Sequence, residues 1–213
     1  MGMEGINWGE VNSQAKQILE NFDNLATSFR KRLHTFEEEL CPIWASGNAV
    51  KFGNDLIDSI GNVNDTIYQA YTKIGNALAS AAATYAETFN VDNEFSVSVG
   101  YYGVGNLENV FKEVVNGVTG MNKTDVQDCL THFTQDTAKA IETFNNNLKS
   151  VNLGIYDSAG AQQASFEGCL QSMMTNINNE LQKLVDEINT GIETEIDNVA
   201  LVKTQTVNTF RSE

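Results

Sequence analysis

Apolar residues recur along the chain in four long segments at helical spacing. The segments cover residues 8–40, 48–89, 124–151 and 161–210, and within each an apolar residue returns every third or fourth position. Steps of three and four place these residues on one face of a helix, which is typical of a face buried against a partner. The predicted core residues are Val11, Ala15, Ile18, Phe22, Leu25, Phe29, Leu33, Phe36, Leu40, Phe52, Leu56, Ile60, Val63, Ile67, Ile74, Leu78, Ala81, Tyr85, Phe89, Val126, Leu130, Phe133, Thr137, Ala140, Phe144, Leu148, Val151, Phe166, Leu170, Met173, Ile177, Leu181, Leu184, Ile188, Ile192, Ile196, Val199 and Val202.

Short turns separate the first segment from the second and the third from the fourth. Pro42 blocks continuation of the first helix, and the residue before it is pushed out of helical geometry. Helices of similar length joined by a short turn pack antiparallel at about 20°. We therefore predict an all-α fold in which two long antiparallel helical hairpins, residues 1–90 and 124–213, form an elongated four-helix bundle.

Residues 91–123 break the helical pattern and are predicted to be a linker. Positions from Phe95 to Tyr101 alternate between apolar and polar or small residues, which is the period of a strand, and glycines cluster between residues 100 and 105. This favours a short extended segment, either a small hairpin or an edge-like strap. Asn106 is placed to cap a short helix over residues 107–118 that ends at Gly120.

The two turns have similar sequences. Each has an aromatic residue, a small flexible stretch and then a Phe and a Leu four residues apart, as a tight helix–helix corner needs. The first reads Ile43-Trp44-Ala45-Ser46-Gly47-Asn48-Ala49 with Phe52 and Leu56, and the second reads Ile155-Tyr156-Asp157-Ser158-Ala159-Gly160-Ala161 with Phe166 and Leu170.

The first turn resembles that of the WXG family, small helical hairpins exported by type VII secretion systems. Members of that family are about half this length and pair into four-helix dimers, with a Trp-x-Gly turn between two antiparallel helices. Here Trp44 and Gly47 match the turn, Ser46 is one extra residue between them, and Phe52 matches the aromatic position that follows.

The second turn matches the family pattern more weakly. Tyr156 takes the Trp position, Gly160 takes the Gly position, and two more residues precede Phe166. The resemblance implies a fused pseudo-dimer, in which one chain holds two hairpins and buries the apolar faces that separate chains would bury together. The candidate interaction residues are therefore Trp44, Ser46, Gly47, Phe52, Tyr156, Gly160 and Phe166.

Charge and composition narrow the possible partners. The net charge is -15, with six basic and thirteen acidic residues in 1–104 and seven basic and fifteen acidic in 105–213. The matched halves fit a duplication, and the negative charge repels phosphate backbones, so no nucleic-acid partner is expected. The sequence shows no cleavable signal peptide and no apolar run of the roughly 18 residues that span a membrane, so no stable membrane insertion is expected.

Candidate chemistry is sparse. None of the nucleotide-binding, hydrolase or zinc-protease motifs occurs, and His34 and His132 are lone residues on predicted helices. Cys41, Cys129 and Cys169 have no metal-binding spacing, although Cys41 and Cys169 lie near the two turns and could meet. We therefore predict a non-enzymatic protein without catalytic residues, cofactor or metal.

Three functional hypotheses remain open. The first is a type VII secretion substrate that acts by protein–protein contact, secreted without a cleavable signal, either as a monomeric pseudo-dimer or as a homo-oligomer. Family substrates or their partners often carry a Tyr-xxx-Asp/Glu export signal, which no tyrosine here satisfies. The second is a cytoplasmic adaptor, chaperone or immunity partner of a larger type VII effector. The third is an α-helical membrane-active toxin. The partner would be the secretion machinery or a co-encoded effector.

Overall fold

Four helices make up most of the protein. The computed structural model describes residues 4–100, 107–149, 151–157 and 159–212. The helices are α1 (Trp8–Leu40), α2 (Gly47–Phe89), α3 (Lys123–Leu148) and α4 (Ala161–Ser212). Short strands precede α1 and α3 and lie in the two turns, as β1 (Gly5–Ile6), β2 (Trp44–Ala45), β3 (Gly120–Met121) and β4 (Ile155–Tyr156). The predicted all-α class with helical hairpins is confirmed.

Side-chain caps explain where the helices begin. The Asn7 side-chain oxygen accepts a hydrogen bond from the Glu10 amide at 3.1 Å at the start of α1, and the Ser46 hydroxyl accepts one from the Ala49 amide at 3.0 Å at the start of α2. These bonds satisfy amide groups that the first helical turn leaves without an intrahelical partner. Pro42 stands two residues after the end of α1, as predicted.

By compactness the chain divides into two units, each of which contains part of every helix. Unit 1 comprises Met1–Ser28, Asn64–Gly103 and Ala140–Glu180, and unit 2 comprises Phe29–Val63, Val104–Lys139 and Leu181–Glu213. This division follows spatial contact, whereas the predicted hairpins 1–90 and 124–213 follow sequence order. The predicted boundaries thus remain a prediction about the two halves of the sequence.

In unit 1, α1 packs against α3. The rings of Phe22 and Phe144 meet edge to face with their centroids 5.2 Å apart. Beside them the Asn147 side chain donates a hydrogen bond of 2.8 Å to the side-chain oxygen of Asn21, which is only 8% exposed. Because an unpaired buried amide is costly, this bond favours one register of α1 against α3.

In unit 2, α1 again packs against α3, and α2 packs against α4. The Phe36 and Phe133 centroids are 4.7 Å apart. Asn48 near the start of α2 bonds Glu195, while Ser59 further along α2 bonds Glu187 at 2.7 Å, so α2 and α4 run antiparallel. Each helix of one hairpin is thus covered by a helix of the other hairpin.

Most predicted core residues are buried, although Phe52 and Ala140 are only half-buried and the prediction fails near the ends of α2 and α4. At the end of α2, Ala82 and Ala86 are buried instead of Ala81 and Tyr85, and Phe89 is 49% exposed. The buried residues continue in steps of four from Leu78, whereas the predicted stripe takes a step of three from Leu78 to Ala81 and so leaves the buried face. In α4 the burial stops at Ile196, and the two predicted core residues beyond it are exposed, Val199 and Val202.

The connector between α2 and α3 has no helix or strand in residues 91–100 and 107–112. Residues 91–100 show the predicted alternation, with Phe95, Val97 and Val99 half-buried between exposed neighbours. They form no strand pair. Instead the Asn12 side chain donates to the Glu94 carbonyl at 2.9 Å and accepts from the Ser96 amide at 2.9 Å. The predicted residues Tyr101, Gly103, Gly105 and Asn106 lie outside the described residues.

The predicted short helix over residues 107–118 was wrong. Residues 107–112 form neither helix nor strand, and a tight hairpin turn follows in which Val115 and Val118 pair. Asn116 and Gly117 at its tip both have a positive φ, of 52° and 77°. An Asn-Gly pair favours a two-residue hairpin because both residues tolerate the left-handed backbone. The sequence therefore contained the signal for this hairpin, which the helical interpretation overlooked.

Candidate functional site: the two interhelical turns

The first turn, between α1 and α2, is tied by backbone to the start of α3. Trp44 pairs with Met121 and Ala45 with Gly120 in an antiparallel ladder, and the Asn122 amide donates to the Ile43 carbonyl at 2.8 Å. The short strand pair explains why α3 begins beside the end of α1. Backbone hydrogen bonds thus join the two hairpins at this turn.

Trp44 lies inside the protein at this turn. Its side chain is 1% exposed, and its ring centroid is 5.1 Å from that of Phe52 and 6.0 Å from that of Phe111. Phe52 and Phe111 meet edge to face at 5.6 Å. The three rings form an aromatic cluster in which the Trp44 ring is shielded from solvent. Phe111 was not among the predicted site residues, since it comes from the connector.

Ser46 and Gly47 have different roles in the turn. The Ser46 hydroxyl caps α2, and its amide donates to the Lys112 carbonyl at 3.1 Å, which holds the connector against the turn. Gly47 is the first residue of α2 and has no heavy atom within 4 Å of the place a Cβ would take. The packing seen here therefore requires Ser46 but leaves room for a side chain at Gly47.

A buried carboxylate beside the first turn was missed by the sequence analysis. Glu195 on α4 is 8% exposed. Its oxygens accept hydrogen bonds from the Asn48 side-chain amide at 2.8 Å, the Ser46 hydroxyl at 3.5 Å and the Asn198 side-chain amide at 3.4 Å. The bonds from Asn48 and Ser46 hold α4 against the start of α2. Ser46 and Asn48 lie about 150 residues from Glu195 in sequence, so no local sequence pattern predicts the contact.

The second turn, between α3 and α4, is built on the same plan. Ile155 pairs with Ile6 and Tyr156 with Gly5, and the Asn7 amide donates to the Gly154 carbonyl at 2.9 Å. The Tyr156 hydroxyl donates to the Glu10 carboxylate. That hydrogen bond raises the pKa of Tyr156, because losing the proton would place two negative charges together.

The backbone register corrects the predicted match between the turns. Asn122 bonds the residue before Trp44, and Asn7 bonds the residue before Ile155. Ile155, which is 6% exposed, therefore stands where Trp44 stands, whereas Tyr156 is 37% exposed and corresponds to Ala45. The assignment of Tyr156 to the Trp position was off by one residue, which in a strand moves a side chain to the opposite face.

The glycine of the second turn is displaced by one position as well. The first helical hydrogen bond of α2 is accepted by the Ser46 carbonyl, and that of α4 by the Gly160 carbonyl, so these two residues correspond. Gly160 has a φ of 64°, a left-handed conformation that favours glycine. Counting from these carbonyls, Phe166 falls where Phe52 falls, as predicted, and it is buried at 9% exposure.

Asp157 caps α4 from within the longer second turn. Its carboxylate accepts hydrogen bonds from the amides of Ala159 and Ala161 at 3.0 Å and of Gln162 at 2.9 Å. Bonds to the charged form, that from Gln162 above all, lower the pKa of Asp157. Asp157 thus does for α4 what Ser46 does for α2.

A cavity of about 440 Å³ opens beside the second turn. Val151 and Ile155 line its apolar side, and Tyr156, Gln163 and Glu167 line its polar side. The Gln163 side chain is held in place, since it donates to the Val151 carbonyl and to Glu167 at 2.7 Å each and accepts from the Leu153 amide at 2.8 Å. Hydrogen bonds therefore fix the position of Gln163 on the polar side of the cavity.

His34 and the three cysteines take no part in the turn contacts described above. His34 lies 3.2 Å from Glu38 on the exposed side of α1. All three cysteines are free thiols, so Cys41 and Cys169 are not bonded to each other. Burial raises the pKa of the Cys41 thiol to about 11, and it raises that of Cys129 as well. Across the described ranges there is no group of three or more His, Cys, Asp or Glu side chains that could hold a metal ion.

Comparison with known proteins gives no match to a family model, a curated protein or a solved structure. Among the described residues, no helix combines the length and the apolar character needed to cross a bilayer. Any functional assignment thus rests on the turns, the helix pairing and the exposed surfaces of this chain.

Proposed function

We propose that this protein is a non-enzymatic protein-interaction protein of the type VII secretion kind, a single-chain pseudo-dimer resembling the WXG family. The observation that carries the proposal is the construction of the two turns. Each turn places a strand residue against the strand that precedes the opposite hairpin, buries one large apolar side chain and then caps the next helix. A duplicated hairpin explains this repetition within one chain.

The helix pairing supports the same proposal. α1 packs on α3 and α2 packs on α4, so each hairpin covers the apolar face of the other. Separate WXG-like chains would bury these faces by pairing, whereas here the connector keeps both hairpins in one molecule. The side chains of the first turn are engaged in packing and capping, which fits a scaffold that presents its outer surface to a protein partner.

Export is the first property to test. The protein should appear in the culture medium of its source cell when the type VII secretion ATPase is present and should remain in the cells when the ATPase is deleted. A cytoplasmic enzyme measured in the same medium controls for lysis. ATPase-dependent export would support the substrate hypothesis, and retention in both strains would refute it.

The exposed end of α4 favours a second candidate function, a cytoplasmic adaptor for a larger type VII effector. Val202 is 59% exposed and Phe210 is 75% exposed, and with Val199 they continue the buried face of α4 past its last covered residue. An apolar face of this kind marks a surface for a protein partner. Lys203 and Arg211 are the only charged residues from 198 to 212, in contrast to the acidic chain as a whole.

The adaptor hypothesis can be tested by co-purification with a co-encoded protein. Val202→Asp should abolish the complex, because it places a charge on the exposed apolar face. Leu201→Asp is the matched control, since Leu201 is equally exposed at 58% but lies on the opposite side of α4. Equal loss with both variants, or with neither, would argue against docking through this face.

A further inference from the structure

At the first turn, a segment of the connector packs against Trp44 and the start of α2. Phe111 is 5% exposed and packs on Trp44 and Phe52. Two residues earlier, the Asn109 side chain donates to the Val50 backbone carbonyl at 2.7 Å and to the Asn54 side-chain oxygen at 2.8 Å, both on α2. A segment that carries an aromatic residue therefore occupies the side of the first turn.

The corresponding place at the second turn is the cavity of about 440 Å³. By the strand register, Trp44 corresponds to Ile155. By the first helical hydrogen bonds, Ser46 corresponds to Gly160 and Gly53 to Glu167. The three residues of the second turn all line the cavity. The connector touches the first set through the Ser46 amide and over the backbone of Gly53. No described segment of the chain takes the same position at the second turn.

Two differences between corresponding residues of the turns set the size and the charge of the cavity. Ile155 is smaller than Trp44, so the second turn leaves room that an indole fills at the first. Glu167 stands where Gly53 lets the connector approach closely, and with Asp157 it places two carboxylates at the cavity. The Gly160 amide already donates to the Asp157 carbonyl at 3.2 Å, so an occupant must be held mainly by its side chains.

We infer that this cavity binds a segment of a partner protein in which a basic residue stands two positions before an aromatic one. The ring would lie against Val151 and Ile155, and a cavity of about 440 Å³ is within the range that binds small ligands. The basic side chain would reach Glu167. In the chain's own segment Asn109 stands two positions before Phe111, and its side chain lies over Gly53, the counterpart of Glu167. The inference rests on the proposed function as an interaction protein, although not on export.

The test is a titration of the full chain, carrying labelled Ile and Val methyl groups, with the capped peptide Ala-Lys-Val-Phe-Ala-Ala. We expect saturable shifts at the methyl groups of Val151 and Ile155. A peptide with Ala in place of Phe should bind about 10- to 100-fold more weakly, from the apolar surface of the ring. Shifts confined to residues around Phe111, which would show exchange with the chain's own connector, would overturn the inference.

Charge variants separate this cavity from non-specific attraction to an acidic protein. Glu167→Lys should weaken binding of the lysine-bearing peptide roughly 3- to 10-fold, as expected for reversal of an exposed charge. Glu142→Lys makes the same change on an exposed position of α3 in unit 1 and should leave binding unchanged. Equal weakening by both variants, absence of binding, or a dimer that the peptide dissociates would overturn the inference. Peptide binding without export would refute only the substrate hypothesis, and export without peptide binding would refute only this cavity's role.

Discussion

Two glycines in α2 offer a direct test of how the connector is held at the first turn. A Cβ added at Gly53 would lie 2.2 Å from the Asn109 side-chain oxygen and 2.6 Å from a ring carbon of Phe111. A Cβ added at Gly61, two helical turns later, would meet nothing within 4 Å. Gly53→Ala and Gly61→Ala therefore make the same chemical change in the same helix, with and without a clash.

The expected effects on the free energy of unfolding have opposite signs. Alanine is favoured over glycine inside a helix by about 1 kcal/mol, so Gly61→Ala should raise the free energy of unfolding by about that amount. At Gly53 the same gain is opposed by overpacking, about 1–3 kcal/mol, or by release of the Asn109 hydrogen bonds, about 0.5–1.5 kcal/mol each. Gly53→Ala should thus be less stable than Gly61→Ala by about 1–3 kcal/mol.

Urea unfolding followed by circular dichroism measures this difference, and thermal unfolding should show it as about 2–12 °C between the two variants. The cause can be isolated with Phe111→Ala, because Gly53→Ala should cost less in that background if the ring is what the new methyl group meets. Equal stability of Gly53→Ala and Gly61→Ala would refute the packing of the connector on α2.

The second turn and the thiols yield three further predictions. Ile155→Ala should lower the free energy of unfolding by about 2–5 kcal/mol while Tyr156→Phe should change it by less than about 0.5 kcal/mol, and the reverse order in urea unfolding would contradict the burial of Ile155. Asp157→Asn should lower the urea midpoint at pH 7. Because the folded pKa of Asp157 lies below the usual 3.8, the difference from the parent protein should persist above that pH and vanish as the pH falls through the folded value. With its pKa near 11, Cys41 should be alkylated at pH 8 tens of times more slowly than free cysteine, as read by mass spectrometry, and an equal rate would contradict its burial.

The match between the turns shows where comparison of residue types fails. Pairing aromatic with aromatic aligned Tyr156 with Trp44, but the strand partners of each turn align Ile155 with Trp44. Only the backbone ladder contains this information, because one residue of shift inverts which side chain is buried. Phe52 and Phe166 were matched correctly, since both are placed by the helical spacing that follows each turn.

The residues that complete the first turn could not be inferred from the sequence. Phe111 reaches Trp44 from a connector segment that looked helical, and Glu195 reaches Asn48 from the far part of α4. Each contact depends on the tertiary fold of the whole chain, and neither produces a periodic pattern in the sequence. The Asn116-Gly117 hairpin is different, because its turn chemistry was readable and competed with an equally local helix interpretation.

The sequence by itself determined the helices, because apolar spacing, Pro42 and the polar residues at helix starts act within one or two turns of the backbone. The tertiary structure decided which helices pair, since α1 could meet α2, α3 or α4 with the same apolar face. It also decided the path of the connector and the difference between the two turns. Those outcomes depend on strand register and on ring contacts between residues far apart in sequence, such as Phe22 with Phe144.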